Sequence, residues 1–142
     1  IHSAYRRGMP ALQTRRKTEG GWMVKLVIPE IPPSNNKYMG RGSVRSQAFA
    51  YQDEKQRWAW LVRAAVKKKP KKPLQKAKVK ITYFFPDRRR RDPDNYSGKF
   101  ILDGLTGAGV IEDDSFGNIR LELRGEHDKE NPRTEIEIEE VS

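Results

Sequence analysis

Between Lys76 and Phe85 the sequence KAKVKITYFF alternates Val79, Ile81 and Tyr83 with Lys78, Lys80 and Thr82. A two-residue period marks a strand with one face in a core and the other in water. Such a strand needs a layer to cover its apolar side, and the rest of the chain must supply it. Trp22–Ile28, WMVKLVI, is a second β-rich run that stops against Pro29, while Ile119–Gly125 and Glu135–Val141 alternate apolar with charged residues. The octapeptide EHDKENPR between the last two predicts a hairpin.

Helical spacing occurs twice. From about Ser46 to Lys68, Tyr51, Trp58, Leu61, Val62 and Ala65 share one face, and Pro70 closes the run. In NYSGKFILDGLTGAG, Phe100, Ile101, Leu105 and Ala108 repeat at helical intervals before a glycine-rich end. The order β-α-β-α-β-β predicts an α+β fold: one small mixed sheet of about four strands with two helices packed on it. The 142 residues suit one domain, placed at residues 22–142. Residues 1–21 mix Arg, Lys, Gly and Pro without periodicity and are expected to form a flexible basic tail. Trp58 and Trp60 are assigned to the core or to an interface.

Charge narrows the partners. The formal net charge is +10, yet residues 1–91 hold 24 Lys and Arg against 5 acids, and residues 92–142 hold 5 against 14. A positive field of this kind steers phosphate-rich polyanions. Without cysteine, disulfides and thiolate zinc sites are excluded, and a reducing cytoplasm is compatible. No stretch of about 18 apolar residues suggests a membrane span, so the chain reads as soluble.

The boundary between the two charge regimes is RRRRDPDNYSGK, Arg88 to Lys99. Proline biases the residue before it towards extended geometry, and residues i and i+2 of an extended segment project to the same side. Asp92 and Asp94 are therefore expected to converge. Their mutual repulsion becomes an attraction once a cation such as Mg²⁺ lies between them. A plainer reading has Asp94 as a helix N-cap and Asp92 paired with an arginine. Asp113 and Asp114, in VIEDDSF, are further acids; being adjacent, they face opposite ways when extended, so one at most joins the cluster. Read alone they make a solvated turn. Lys99 precedes Asp103 by four residues, a pair worth only about 0.2–0.5 kcal/mol on a helix.

The segments IPPSNNKY (Ile31–Tyr38), FFPDRRRRDPDN (Phe84–Asn95), KFILDGLTGAGVIEDD (Lys99–Asp114) and RTEIEIEE (Arg133–Glu140), with the shared element order, resemble the RusA family of Holliday-junction resolvases. The resemblance spans roughly Met23 to Val141. It implies a homodimeric endonuclease, cytoplasmic and bacterial or phage-encoded, that resolves four-way DNA junctions by paired symmetric nicks in recombination and repair. It further implies Mg²⁺, with Mn²⁺ as a substitute, held by Asp92, Asp94 and Asp114, with Asp113 accessory and Lys99 assisting catalysis. Lys99 lies one residue later than the family's spacing, as though Ser97-Gly98 held an insertion. Arg88, Arg89, Arg90 and Arg91, with Asn35, Asn36, Lys37 and Arg41, are expected to contact DNA, and Lys67–Lys72 to extend that surface. His2 and His127 lie outside the motifs. A non-enzymatic nucleic-acid-binding protein, or a metal nuclease for other branched DNA, are the alternatives.

Overall fold

In the computed structural model, which describes residues 12–18, 21–38 and 44–141, the chain runs β1 (Leu12–Thr18), β2 (Gly21–Ile28), α1 (Val44–Ala65), β3 (Ala77–Phe85), α2 (Lys99–Gly107), β4 (Ile119–His127) and β5 (Arg133–Glu140). Short 3-10 turns at Asn35–Tyr38 and Pro93–Asn95 precede the two helices. The strands form one sheet in the order β1-β2-β5-β3-β4. β3 and β4 are parallel, joined through α2, and the remaining pairs are antiparallel. The α+β class, the two helices and the four expected strands are all present.

Two expectations are corrected. The late strands do not form a hairpin, because β3 lies between them and pairs with both. The reason lies in the burial of β3. Val79 and Ile81 are fully buried, Tyr83 and Thr82 nearly so, and a strand enclosed to that degree occupies the middle of a sheet. The connection from β4 to β5 passes over its end, where Asp128 N–H donates to Phe85 C=O at 2.8 Å and the Arg133 guanidinium lies 3.8 Å from the Phe84 ring centroid.

The second correction concerns residues 1–21. Leu12–Thr18 is a fifth strand, paired antiparallel with β2 from Leu12↔Val27 to Thr18↔Gly21. Its sequence LQTRRKT has no apolar alternation to announce it. The free edge of β2 supplies the hydrogen bonds that its own pattern does not advertise. Residues 1–11 lie outside the described residues.

The core joins Val24, Leu26 and Ile28 of β2, Val79 and Ile81 of β3, and Ile136 and Ile138 of β5 to Trp58 and Val62 of α1 and Ile101 and Leu105 of α2. Trp58 is fully buried, whereas Trp60 is 68% exposed, so only the former is core. The helices meet at Gly104, where a Cβ would lie 2.9 Å from Val62 Cγ2. Gly104→Ala is expected to cost about 1–3 kcal/mol through overpacking, read as a lowered urea midpoint at unchanged m-value.

Candidate active site

Asp92 is extended (φ −105°, ψ 142°), as the following proline requires. Pro93 then starts a 3-10 turn, closed by Asn95 N–H to Asp92 C=O at 3.0 Å and Tyr96 N–H to Pro93 C=O at 3.1 Å. Asp94 therefore sits inside a turn, and the same-side argument for an extended DxD does not apply to it. Capping fails as a competing explanation too. The N-cap of α2 is Gly98, and neither Gly98 nor Asp92 makes a side-chain capping bond. The Asp94 carboxylate is exposed and has no protein partner among the described residues. Asp92 is lightly held, by Arg90 Nε at 3.2 Å in an exposed pair.

The turn is braced from the first motif. Asn35 Nδ2 donates to the Asp94 carbonyl at 2.9 Å and to Ser97 Oγ at 3.3 Å. Asn35, expected at the DNA surface, is thus a positioning residue that ties the Ile31–Tyr38 loop to the acidic turn. Asn36 and Lys37 beside it are exposed, and Arg41 lies outside the described residues. Asn35→Ala is expected to slow cleavage about tenfold, the scale of losing a supporting hydrogen bond beneath a ligand. Asn35→Asp does not rescue it, since a carboxylate cannot donate to a carbonyl; single-turnover rates with matched binding assays check this.

The four arginines divide. Arg91 turns inward: its side chain is 17% exposed, it pairs with Asp87 at 2.8 Å, donates to the Asp87 and Arg89 carbonyls, and lies 4.3 Å from the Phe85 ring centroid. Arg89 also binds Asp87, at 3.1 Å. These hydrogen bonds, from Arg91 and then Arg89, hold the Asp87 carboxyl well below the usual carboxylate range. Arg88 is exposed with no acidic partner among the described residues, and Arg89 and Arg90 extend outward in solvated pairs worth little. Three of the four guanidiniums are thus available to a phosphate backbone.

Lys99 opens α2, directly after Gly98 at φ 82°. A side chain at Gly98 would meet Ile81 Cδ1 at 2.7 Å, so the extra residue in this stretch is absorbed by a left-handed glycine pressed on the sheet. A cation at a helix N-terminus opposes the macrodipole. The Lys99 side chain is 58% exposed and its ammonium lies 3.8 Å from Asp103 Oδ2, the i,i+4 contact anticipated, which Lys55 shares at 4.0 Å. Lys55 carried no signal, because it stands outside every motif.

Asp113 and Asp114 are exposed and lie elsewhere. Their loop is pinned to the start of β3: Glu112 N–H donates to Leu74 C=O, Ala77 N–H to Asn118 C=O and Asn118 Nδ2 to Gln75 C=O, all at 2.9 Å. Asp92, by contrast, lines a small cleft with Phe85, Tyr96 and Gly125 at the far end of β3 and β4. The length of β3 separates them, on the order of 25 Å. Carboxylates sharing a cation lie about 2.0–2.6 Å from it. The donor chemistry, hard oxygens of which Asp94 and Asp114 lack partners among the described residues, fits a divalent cation. The geometry of one protomer does not complete the set: among the described residues no three acidic or histidine side chains are gathered closely enough to hold a metal.

Comparison with known proteins decides the family. Residues 29–139 match endodeoxyribonuclease RusA. The chain belongs to the RusA family. Among RusA relatives, the crossover junction endodeoxyribonuclease of Escherichia coli K12 is 39% identical over 88 residues, which cover 59% of this chain and 68% of that protein. The enzyme of enterobacteria phage HK97 is 35% identical over 104 residues, 71% of this chain and 82% of its own. The matched region holds the first three RusA-like motifs named above whole and the fourth as far as Glu139, and no described helix is long and apolar enough to cross a membrane.

Proposed function

We propose that this protein is a Mg²⁺-dependent endonuclease that resolves four-way DNA junctions by paired symmetric nicks, acting as a homodimer in the cytoplasm of a bacterium or of a phage-infected cell. What supports this reading most is the Asp94 turn, which is braced by Asn35 yet leaves its carboxylate free of partners among the described residues, in a chain of an endodeoxyribonuclease family.

Asp92 and Asp94, with Asp114 and accessory Asp113, would hold the cation; Mn²⁺ substitutes, having the same preference for oxygen ligands. When bound, a divalent ion lowers the pKa of a coordinated water and offsets charge on phosphoryl oxygens. Because the two acid groups lie at opposite ends of β3, a second copy has to supply the missing one, and two-fold symmetry then yields two identical sites. Two such sites match the two opposed nicks of resolution. Lys99, exposed at the mouth of α2, orients the scissile phosphate. Arg88, Arg89 and Arg90, with Asn36, Lys37 and Arg41, take the flanking phosphates, and Arg91 holds the loop. Lys71, Lys72 and Lys76 line a cleft at the Asp114 end and extend the cationic track.

The test is incubation of the pure protein with a synthetic four-way junction and with linear duplex, with Mg²⁺ and with EDTA. Paired nicks in the junction alone, lost in EDTA, are expected. Binding of every substrate without cleavage would make the protein a binding module instead.

A further inference from the structure

On β2, Val24, Leu26 and Ile28 are buried in the core, and Trp22 is the next residue on that face. It packs against the core yet is only half-buried, because it also lines an open cleft of about 640 Å³. The connection between α1 and β3 forms another wall, with Lys71, Lys72, Pro73 and Lys76 among the lining residues. All three lysines are exposed, with no acidic partner among the described residues. Glu140, the acid of the lining, is already engaged: its Oε1 accepts the Trp22 backbone N–H at 3.3 Å.

An aromatic side chain set among unpaired ammonium groups suits single-stranded nucleic acid, whose bases stack on the ring while the cations hold the backbone. The size agrees. Sites of roughly 300–1,000 Å³ take ligands of small-molecule dimensions, so the cleft has room for one nucleotide and none for a duplex. Paired bases keep their faces stacked on one another, and only an unstacked nucleotide can offer one to Trp22. The seat is also stiff. Pro70 and Pro73 fix the backbone on either side of Lys71-Lys72. Leu74 N–H donates to Val110 C=O and Leu74 C=O accepts from Glu112 N–H, both at 2.9 Å. Less freedom is then lost when a ligand binds. Glu112 directly precedes Asp113 and Asp114, so the cleft adjoins the loop that carries those acids.

We propose that this cleft seats one unstacked nucleotide, its base on the Trp22 indole and its phosphates among Lys71, Lys72 and Lys76. The lysines alone serve any phosphate backbone; Trp22 adds a preference for unpaired DNA. A four-way junction interrupts base stacking where its strands exchange, and the cleft holds a nucleotide freed there close to Asp113–Asp114. That the strand comes from a junction rests on the function proposed above; the seat itself does not.

The probe is an oligothymidylate of about eight nucleotides, within the span that such sites cover, titrated in EDTA beside a linear duplex. Of the three tryptophans, Trp58 is fully buried, so in a Trp60→Phe background quenching of indole fluorescence reports Trp22. Quenching is expected. Trp22→Ala should weaken oligothymidylate binding about tenfold and leave duplex binding unchanged, while Trp22→Phe, which keeps a ring, should recover most of the loss. Lys71→Gln/Lys72→Gln should reduce the slope of log affinity against log salt by about 0.7 for each phosphate contact removed. Absence of quenching, single-strand affinity untouched by Trp22→Ala, equal losses for single strand and duplex, or Trp22→Phe as weak as Trp22→Ala at matched thermal melts would each overturn the proposal. Trp22-dependent binding by a protein that cuts no junction would leave the seat standing and remove the nuclease reading; junction cleavage without that binding would do the reverse.

Discussion

Asp94→Asn is expected to abolish junction cleavage while leaving junction binding intact or tighter. Removing one anionic ligand from a cation that stabilises phosphoryl charge forfeits several kcal/mol at the transition state, on the order of a thousandfold in rate. The fold has no stake in the lost charge. The carboxylate has no partner among the described residues, and the bond that braces the turn goes from Asn35 to the Asp94 backbone carbonyl, which asparagine retains. Neutralising a carboxylate that faces DNA also removes repulsion, hence the unchanged or improved affinity. Single-turnover cleavage beside electrophoretic binding in EDTA separates the two effects. Cleavage at the wild-type rate would remove Asp94 from the site.

Arg133→Ala is expected to be the most damaging change to stability. Arg133 is 6% exposed, donates to Glu135 Oε2 at 2.6 Å, to Asp128 Oδ2 at 2.7 Å and to the Asn131 carbonyl at 2.9 Å, and covers the Phe84 ring. Its hydrogen bond is the leading cause of the lowered Asp128 pKa. Truncation strands Glu135, itself 8% exposed and left with Lys25 alone. Breaking a buried pair from one side costs about 3–5 kcal/mol, a large part of the roughly 5–15 kcal/mol that holds a domain together. Thermal melting should drop by about 10 °C. Arg133→Ala/Glu135→Ala, which leaves no unpaired buried acid, should recover part of the loss. A wild-type melt for the single variant would contradict this account of the β4–β5 connection.

Local chemistry was legible where it was written in local pattern. The alternation of Val79, Ile81 and Tyr83 and the spacing of Trp58, Val62 and Ala65 predict the sheet and its helical cover, because side-chain period and burial are tied directly. Sheet order was not legible. A five-residue connection suits a hairpin, and only competition among strands for the centre places β3 between β4 and β5. β1 escaped for the opposite reason, since LQTRRKT shows no period and takes its register from β2. At the site, the acids and Lys99 stood out as motif residues. The bracing by Asn35, the inward turn of Arg91 and the separation of Asp94 from Asp114 are long-range outcomes of chain path, which neither residue type nor spacing records.

That separation makes the central claim testable by mixing subunits. Asp94→Asn and Asp114→Asn chains, each inactive as a homodimer, are co-expressed with different tags and the heterodimer is isolated and given a four-way junction with Mg²⁺. If one copy contributes Asp92 and Asp94 and the other Asp114, both lesions fall in one site and the second site is whole. The heterodimer is then expected to nick a single strand, without the paired opposite nick. A heterodimer as silent as its parents would mean that each site takes its acids from one chain, and would contradict the shared-site account.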